Sequence, residues 1–130
     1  MNDLIKEALL AQKHAYAPYS GYSVGAAVLN QDGQIWSGCN VENVSYGLSI
    51  CAERVALCKM VSVGCLSFRE IVVATRDGNT PCGACLQFMF EMSTNPAQVR
   101  VITYNITTLE HQSFALSALL PYGFKTELKK

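Results

Sequence analysis

The 130-residue sequence is short of charge. Only 15% of its residues are Asp, Glu, Lys or Arg, and ten basic residues balance ten acidic ones for a formal net charge of zero. That balance argues against the basic footprint that tracks a phosphate backbone, so no polynucleotide partner is expected. It argues equally against an electrostatic membrane patch. No apolar run approaches the ~20 residues that cross a bilayer. Residues 1–7 lack a basic stretch leading into an apolar one, so no signal peptide is expected and a cytoplasmic location is predicted. Repeats, low-complexity runs and linkers are also missing, which leaves one domain over residues 1–130. Histidine is scarce. His14 and His111 are the only two, and neither stands at metal-ligand spacing to another candidate. Asn43-Val44-Ser45 and Asn105-Ile106-Thr107 match the glycosylation acceptor pattern, a chance match in a cytosolic chain.

What is present is hydrophobic mass and cysteine. Half of the chain is hydrophobic, enough for a real core. A chain this short has limited room for a deep pocket, so association of copies would help to build one. Six cysteines without a signal peptide point to metal binding or buried thiols, not to a disulfide framework. Cys82 and Cys85 stand at C-x-x-C spacing on one predicted helical turn, and Cys51 begins another helix. Three thiolates fill three corners of a tetrahedron. A catalytic zinc keeps the fourth corner for water, whereas a structural zinc closes it with a further protein ligand. No spare Cys or His lies at a natural spacing to close it. Glu53, two residues after Cys51, is a candidate proton carrier. Three thiolates over-neutralise Zn²⁺, and Arg54 is a candidate hydrogen-bond donor to thiolate sulfur that would withdraw charge. Cys39, Cys58 and Cys65 read as small buried hydrophobes.

The pattern predicts an amphipathic helix over 3–16 with Asn2 as its N-cap, ended by Pro18. Strands follow over 22–29 and 34–39, joined by the Asp32-Gly33 turn. Residues 40–47 form a polar loop. A helix covers 51–63 with Gly64 as its stop, and the run 70–75 is a central strand. Asp77-Gly78 turns the chain into a helix over 82–92. Further strands are expected at 99–104 and 112–114, then a helical turn at 117–120 and a frayed charged tail over 125–130. This order predicts an α/β sandwich with a mixed sheet and both cysteine stretches at adjacent helix N-termini. Free N–H groups and partial positive charge there favour thiolates. Asn40 and Glu42, two apart on an extended loop, should point to one side and offer a donor and an acceptor to adjacent hydroxyls.

Cys51-Ala52-Glu53-Arg54, together with Pro81-Cys82-Gly83-Ala84-Cys85, resembles the cytidine deaminase family in its small, three-cysteine form. The resemblance covers nearly the whole chain. It includes Pro18-Tyr19-Ser20, Val24-Gly25-Ala26-Ala27, Asn40-Val41-Glu42-Asn43, Ser45-Tyr46, Leu119-Leu120-Pro121 and Phe124. It implies a three-layer α/β/α sandwich with a mixed five-stranded sheet, forming a single zinc-dependent nucleoside deaminase domain. It implies one Zn²⁺ per subunit on Cys51, Cys82 and Cys85. Glu53 would take a proton from zinc-activated water, protonate N3 of the pyrimidine and later deliver a proton to departing ammonia. Asn40 and Glu42 would hold the ribose 3′-hydroxyl. The Ala52 N–H would read the base O2, and the Thr80 carbonyl would accept from the 4-amino group. Tyr22 would line the base pocket, Tyr46 would lie where a neighbouring subunit meets the sugar, and Phe124 of another subunit would close over the base.

The implied activity is hydrolytic deamination of cytidine and 2′-deoxycytidine in pyrimidine salvage, by a homotetramer with shared sites. Several positions depart from the family pattern: Tyr22 for Phe, Leu86 for Arg, Val44 for Ala, Thr80 for Ser, a short 76–80 loop and a short tail. Tyr22 and that loop motivate an alternative, a sister deaminase acting on a modified cytosine nucleoside such as blasticidin S. A structural-zinc interaction protein is the reading from outside enzymology.

Overall fold

The computed structural model describes residues 2–126. The side chain of Asn2, expected as an N-cap, and the tail beyond Thr126 lie outside what is described. The elements, in chain order, are α1 (Asn2–Gln12), β1 (Gly25–Leu29), β2 (Ile35–Cys39), a 3₁₀ turn (Tyr46–Leu48), α2 (Ala52–Ser62), β3 (Glu70–Thr75), α3 (Gly83–Glu91), β4 (Arg100–Asn105), β5 (His111–Ala115) and α4 (Leu116–Leu119). The five strands form one sheet in the order β2-β1-β3-β4-β5. β1 is antiparallel to both β2 and β3, so β2 and β3 run the same way. β3 and β4 are parallel, and β5 returns antiparallel to β4. The sheet is mixed and five-stranded, as expected.

The strands alternate between two cores. Ala26, Val28, Ile71, Val73 and Val101 face α2 and α3, where they meet Ala56, Leu57, Met60, Leu86 and Met89. Ala27, Leu29, Val72, Ala74 and Ile102 face α1 and pack on Leu4 and Ala8. Helices therefore cover both faces of the sheet, giving three layers. Each fully buried aliphatic side chain contributes about 1.5–3 kcal/mol of transfer free energy. Leu86, at a position where the resemblance leads one to expect Arg, belongs to this core.

Two glycines bring helices against strands. A Cβ at Gly25 would meet the Ala8 carbonyl oxygen at 2.0 Å and the Gln12 nitrogen at 2.5 Å. A Cβ at Gly38 would meet the Ala56 nitrogen at 2.7 Å and the Ala52 carbonyl oxygen at 2.8 Å. Backbone therefore touches backbone on both faces of the β1–β2 hairpin.

Two boundaries differ from the sequence expectation by more than one residue. α1 ends at Gln12, not at 16. Turns from His14 to Ala11 and from Ala15 to Gln12 close it, and Tyr16 then pairs in extended form with the 40–42 backbone. The first strand begins at Gly25, not at 22. The Asn40 side chain takes the Val24 N–H and the Tyr22 carbonyl, backbone groups that a partner strand would otherwise pair.

Because overpacking a tight contact costs about 1–3 kcal/mol, Gly38→Ala is expected to lower unfolding free energy by about that amount or more. Gly47→Ala, which meets nothing within 4 Å, should change stability by less than about 0.5 kcal/mol. Denaturant titration of both variants checks the contrast.

Candidate active site

α2 and α3 begin at the same end of the sheet, beyond the C-terminal ends of β2 and β3. Ligands of open α/β sheets gather at such ends. Cys51 is the N-cap of α2 (φ −74°, ψ 151°) and Cys82 the N-cap of α3 (φ −69°, ψ 166°). Both caps are extended, and neither side chain caps its own helix. Their sulfurs are thereby left for one another and for Cys85 in the first turn of α3. The three Sγ atoms all lie within 4.8 Å of one another. Zinc–thiolate bonds of about 2.3 Å in a tetrahedron place sulfurs about 3.8 Å apart, so the cluster matches such an ion with small adjustment. Among the described residues no fourth Cys, His, Asp or Glu joins the group. The donor set fits zinc with one position open.

Arg54 leans over the cluster. Its Nη2 donates to Cys51 Sγ at 3.6 Å, and its Nε is buried without a protein partner. Hydrogen bonding from Cys85, supported by Arg54, pulls the Cys51 thiol down to about 5, against the effect of burial. The same Cys51–Cys85 pairing, with burial and neighbouring negative charge, pushes Cys85 up. A bound divalent cation would deprotonate its coordinating thiols and remove that asymmetry. Glu53 stands beside them and is 5% exposed. Burial raises its carboxyl to about 7, and the charge on Cys51 adds to the shift. A carboxyl poised there can both take and give a proton near neutral pH.

Cys51, Ala52, Glu53 and Cys82 form part of the wall of a cavity of about 390 Å³. That volume lies in the range of small-molecule sites. Val24 and Val73 supply apolar wall, and Thr80 and Pro81 line the side next to Cys82. Ser20, Tyr22, Asn40 and Glu42 also line it. Asn40 Nδ2 donates to the Tyr22 carbonyl at 2.8 Å, which leaves its second N–H free for a ligand. Glu42 Oε1 accepts the Tyr19 and Ser20 N–H groups at 3.0 and 3.1 Å, and Oε2 accepts the Ser20 hydroxyl. Hydrogen bonding from Ser20 holds the Glu42 carboxyl below its usual value.

The cavity thus brings together Cys51, Cys82, Glu53, Ala52, Thr80, Tyr22, Asn40 and Glu42, with Cys85 and Arg54 behind them. It does not include Tyr46 or Phe124. Tyr46 is 77% exposed and meets the Tyr19 ring edge-on, with centroids 6.2 Å apart. Phe124 is 75% exposed and held by its backbone to the Gln87 side chain. The reading of three buried spare cysteines fails for Cys58, which is exposed on α2. Cys39 and Cys65 are half-buried, and Cys65 sulfur accepts from Asn30 Nδ2 at 3.2 Å. Sequence reasoning missed two partners. Ser20 braces Glu42, and Asp77 accepts the Tyr22 hydroxyl at 2.5 Å. A turn residue gives no sequence signal of a contact 55 positions away.

Residues 1–101 match the family model described as the cytidine and deoxycytidylate deaminase zinc-binding region. The chain belongs to that family. It is 45% identical over 126 residues to a cytidine deaminase of Halalkalibacterium halodurans, covering 95% of this chain and 93% of that protein. It is 41% identical over 128 residues to a cytidine deaminase of Sporosarcina psychrophila, covering 95% and 90%. The crystal structure of a cytidine deaminase from Burkholderia pseudomallei superposes with a TM-score of 0.88 at 40% identity, covering 95% of this chain and 98% of that one. The relatives agree with the α/β fold and with an enzyme of the deaminase family.

Cys51→Ser, Cys82→Ser and Cys85→Ser should each abolish retained metal, because two thiolates hold zinc far more weakly than three. Cys58→Ser should retain it. Elemental analysis of the purified variants after dialysis is the measurement, and metal retained in all four would refute the cluster.

Proposed function

We propose that this chain hydrolyses cytidine and 2′-deoxycytidine to uridine and 2′-deoxyuridine, releasing ammonia, in pyrimidine salvage. The observation that carries the reading is a buried Glu53 beside a three-thiol cluster, in the wall of a cavity that Asn40 and Glu42 also line. Zinc held by Cys51, Cys82 and Cys85, one ion per subunit, would supply the Lewis acidity that makes water a nucleophile at neutral pH. Glu53 accepts the proton the water gives up and passes it to N3 of the pyrimidine as the oxygen adds at C4. It then carries the remaining proton of the added oxygen to the amino group, and the C4–N bond breaks to release ammonia as the C4 carbonyl forms. One water is consumed, and the products are the uracil nucleoside and ammonia.

The remaining residues bind and orient. The Ala52 N–H lies in the first turn of α2, where helix N–H groups have no intrahelical partner, and is assigned to the base O2. The Thr80 carbonyl accepts from the 4-amino group. Asn40 and Glu42 take the 3′-hydroxyl, Asn40 through its free N–H and Glu42 as an acceptor. Tyr22 flanks the base. Arg54 draws charge from Cys51 and so limits how far three thiolates quench the metal. No group is assigned to the 2′ position, so both sugars are accepted. The Asn40–Glu42 pair favours a plain nucleoside over a modified one of the blasticidin S kind.

Shared sites in a homotetramer account for the residues left outside. Val44, Tyr46, Leu48 and Phe124 are large, apolar and exposed. Association would cover them and let the partner subunit's Phe124 close over the base. None of the six cysteines is in a disulfide, which agrees with a reducing cytoplasm as the proposed location.

Cytidine absorbance, followed with time beside ammonia release, tests the reaction. The zinc-loaded protein should deaminate both cytidine and 2′-deoxycytidine and prefer them to blasticidin S. Glu53→Gln should keep its zinc and lose about 10²–10⁴-fold or more in turnover, the usual worth of a positioned acid–base group. Near-normal turnover in that variant would sink the mechanism.

A further inference from the structure

We propose that Tyr22 and Asp77 form a latch between the two loops that wall the cavity, and that this latch fixes the width at which a nucleoside is held. The proposal rests on the reading of the cavity as the nucleoside site, adds Asp77 to it and gives Tyr22 a positioning role.

Tyr22 belongs by its backbone to one wall. Its N–H donates to Ser20 Oγ at 3.0 Å, and its carbonyl accepts from Asn40 Nδ2 at 2.8 Å. Ser20 in turn donates to Glu42. Tyr22 is thus tied to both residues assigned to the sugar. By its side chain it reaches the other wall. The hydroxyl donates to Asp77 Oδ1 at 2.5 Å, and the Arg76 guanidinium lies 5.0 Å from the ring centroid. Burial, then the bond to Asp77, hold the phenol above its usual value, so it stays a donor.

Asp77 is a firm anchor because its own turn is cross-braced. Oδ1 accepts the Thr75 hydroxyl at 3.2 Å and the Asn79 N–H at 3.3 Å, and Oδ2 accepts Asn79 Nδ2 at 2.9 Å. Thr75 Oγ1 takes the Gly78 N–H at 2.8 Å. The braced turn starts at the end of β3 and runs directly into Thr80, Pro81 and Cys82. Among the described residues the other polar ties between these two loops are lesser ones, the longer bond from Arg76 Nη1 to the Gly21 carbonyl, at 3.5 Å, and the interaction of the Tyr22 hydroxyl with Asn79. Loosening the latch therefore frees Thr80 and Tyr22 to separate. The thiols and Glu53 stay in place because the starts of α2 and α3 hold them. A loosened latch weakens nucleoside binding and spares the chemical step, since loops that must be ordered on binding draw on binding free energy.

The test compares Tyr22→Phe, Asp77→Ala, the double variant and Asp77→Asn with the wild type, all as zinc-loaded full chains. Steady-state kinetics on cytidine and calorimetric binding of uridine are the readouts. Tyr22→Phe should raise the KM for cytidine and the Kd for uridine about three- to tenfold, the scale of one ordinary hydrogen bond, and Asp77→Ala by at least as much, with kcat within about twofold in both. The double variant should be no worse than Asp77→Ala alone, because that variant already removes the Tyr22–Asp77 bond together with the bonds from Thr75 and Asn79. Asp77→Asn keeps an oxygen acceptor and should recover most of the affinity that Asp77→Ala loses. Additive effects, unchanged KM in Tyr22→Phe, or an Asn variant as weak as the Ala variant would overturn the latch. Wild-type protein inactive on cytidine would overturn the functional reading instead. The latch is then judged by amide hydrogen exchange at residues 76–80, which must speed up in Tyr22→Phe.

Discussion

Backbone contact between the β1–β2 hairpin and the helices on its two faces is the constraint on which the site depends. Gly38 leaves no room for a side chain against the first turns of α2, so the start of that helix is fixed relative to β2. Gly25 does the same for α1 on the opposite face. With β2 and β3 running in one direction, the helices that follow them begin at the same end of the sheet. Two helix N-termini are then neighbours, and cysteines at their caps meet as a matter of geometry. An error of a single helical turn, about 5.4 Å, would exceed the whole span of the sulfur cluster.

That convergence creates an electrostatic problem and part of its solution. Three sulfurs that must become thiolates are crowded together, and Glu53 is buried beside them. Like charges at this range raise one another's pKa unless something positive is present. Three positive sources can act here: the partial charges of two helix starts, the Arg54 guanidinium and a cation when one is bound. The first two are built into the polypeptide. They make the cluster ready to accept a metal. The buried Glu53 benefits from the same arrangement, because a carboxyl surrounded by apolar wall and negative charge holds its proton more strongly than one in water.

The two cysteine helices were legible in the sequence to a greater extent than the ends of the first helix and first strand were. Cap and turn signals located both cysteine helices to within a residue, because local rules fix helix starts: a cap residue, a proline before it and a glycine beyond its partner's end. The two misjudged segments failed for one reason. At 13–16 and at 22–24 the local pattern favoured continuing an element, but residues far along the chain claimed the backbone groups. The 40–42 backbone pairs with Tyr16, and the Asn40 side chain occupies the Tyr22 carbonyl and the Val24 N–H. The Cys58 reading failed because hydrophobic character alone does not say which face of a helix a small residue occupies. The clasps on Glu42 and Tyr22 were invisible for the same cause as the boundaries, being made by Ser20 and Asp77 across wide sequence separations.

The positions that depart from the family pattern divide along a physical line. The thiols, Glu53 and Arg54 sit on helix ends whose placement the core determines, and all match. Tyr22, Val44 and Thr80 lie on loops, where a change alters the shape of a wall without moving the reacting groups. Leu86 is the exception in location, since it lies within α3. There the substitution is absorbed by the core, which buries it against the sheet face shared with Ala56 and Met89. A site built on rigid helix ends and lined by loops that brace one another can vary its walls and keep its chemistry. The Tyr22 hydroxyl illustrates the coupling this requires. A polar atom added to an apolar pocket wall would need a partner or lose the hydrogen bond it makes in water. Asp77, supplied by the short turn opposite, is that partner, so the two features depend on each other.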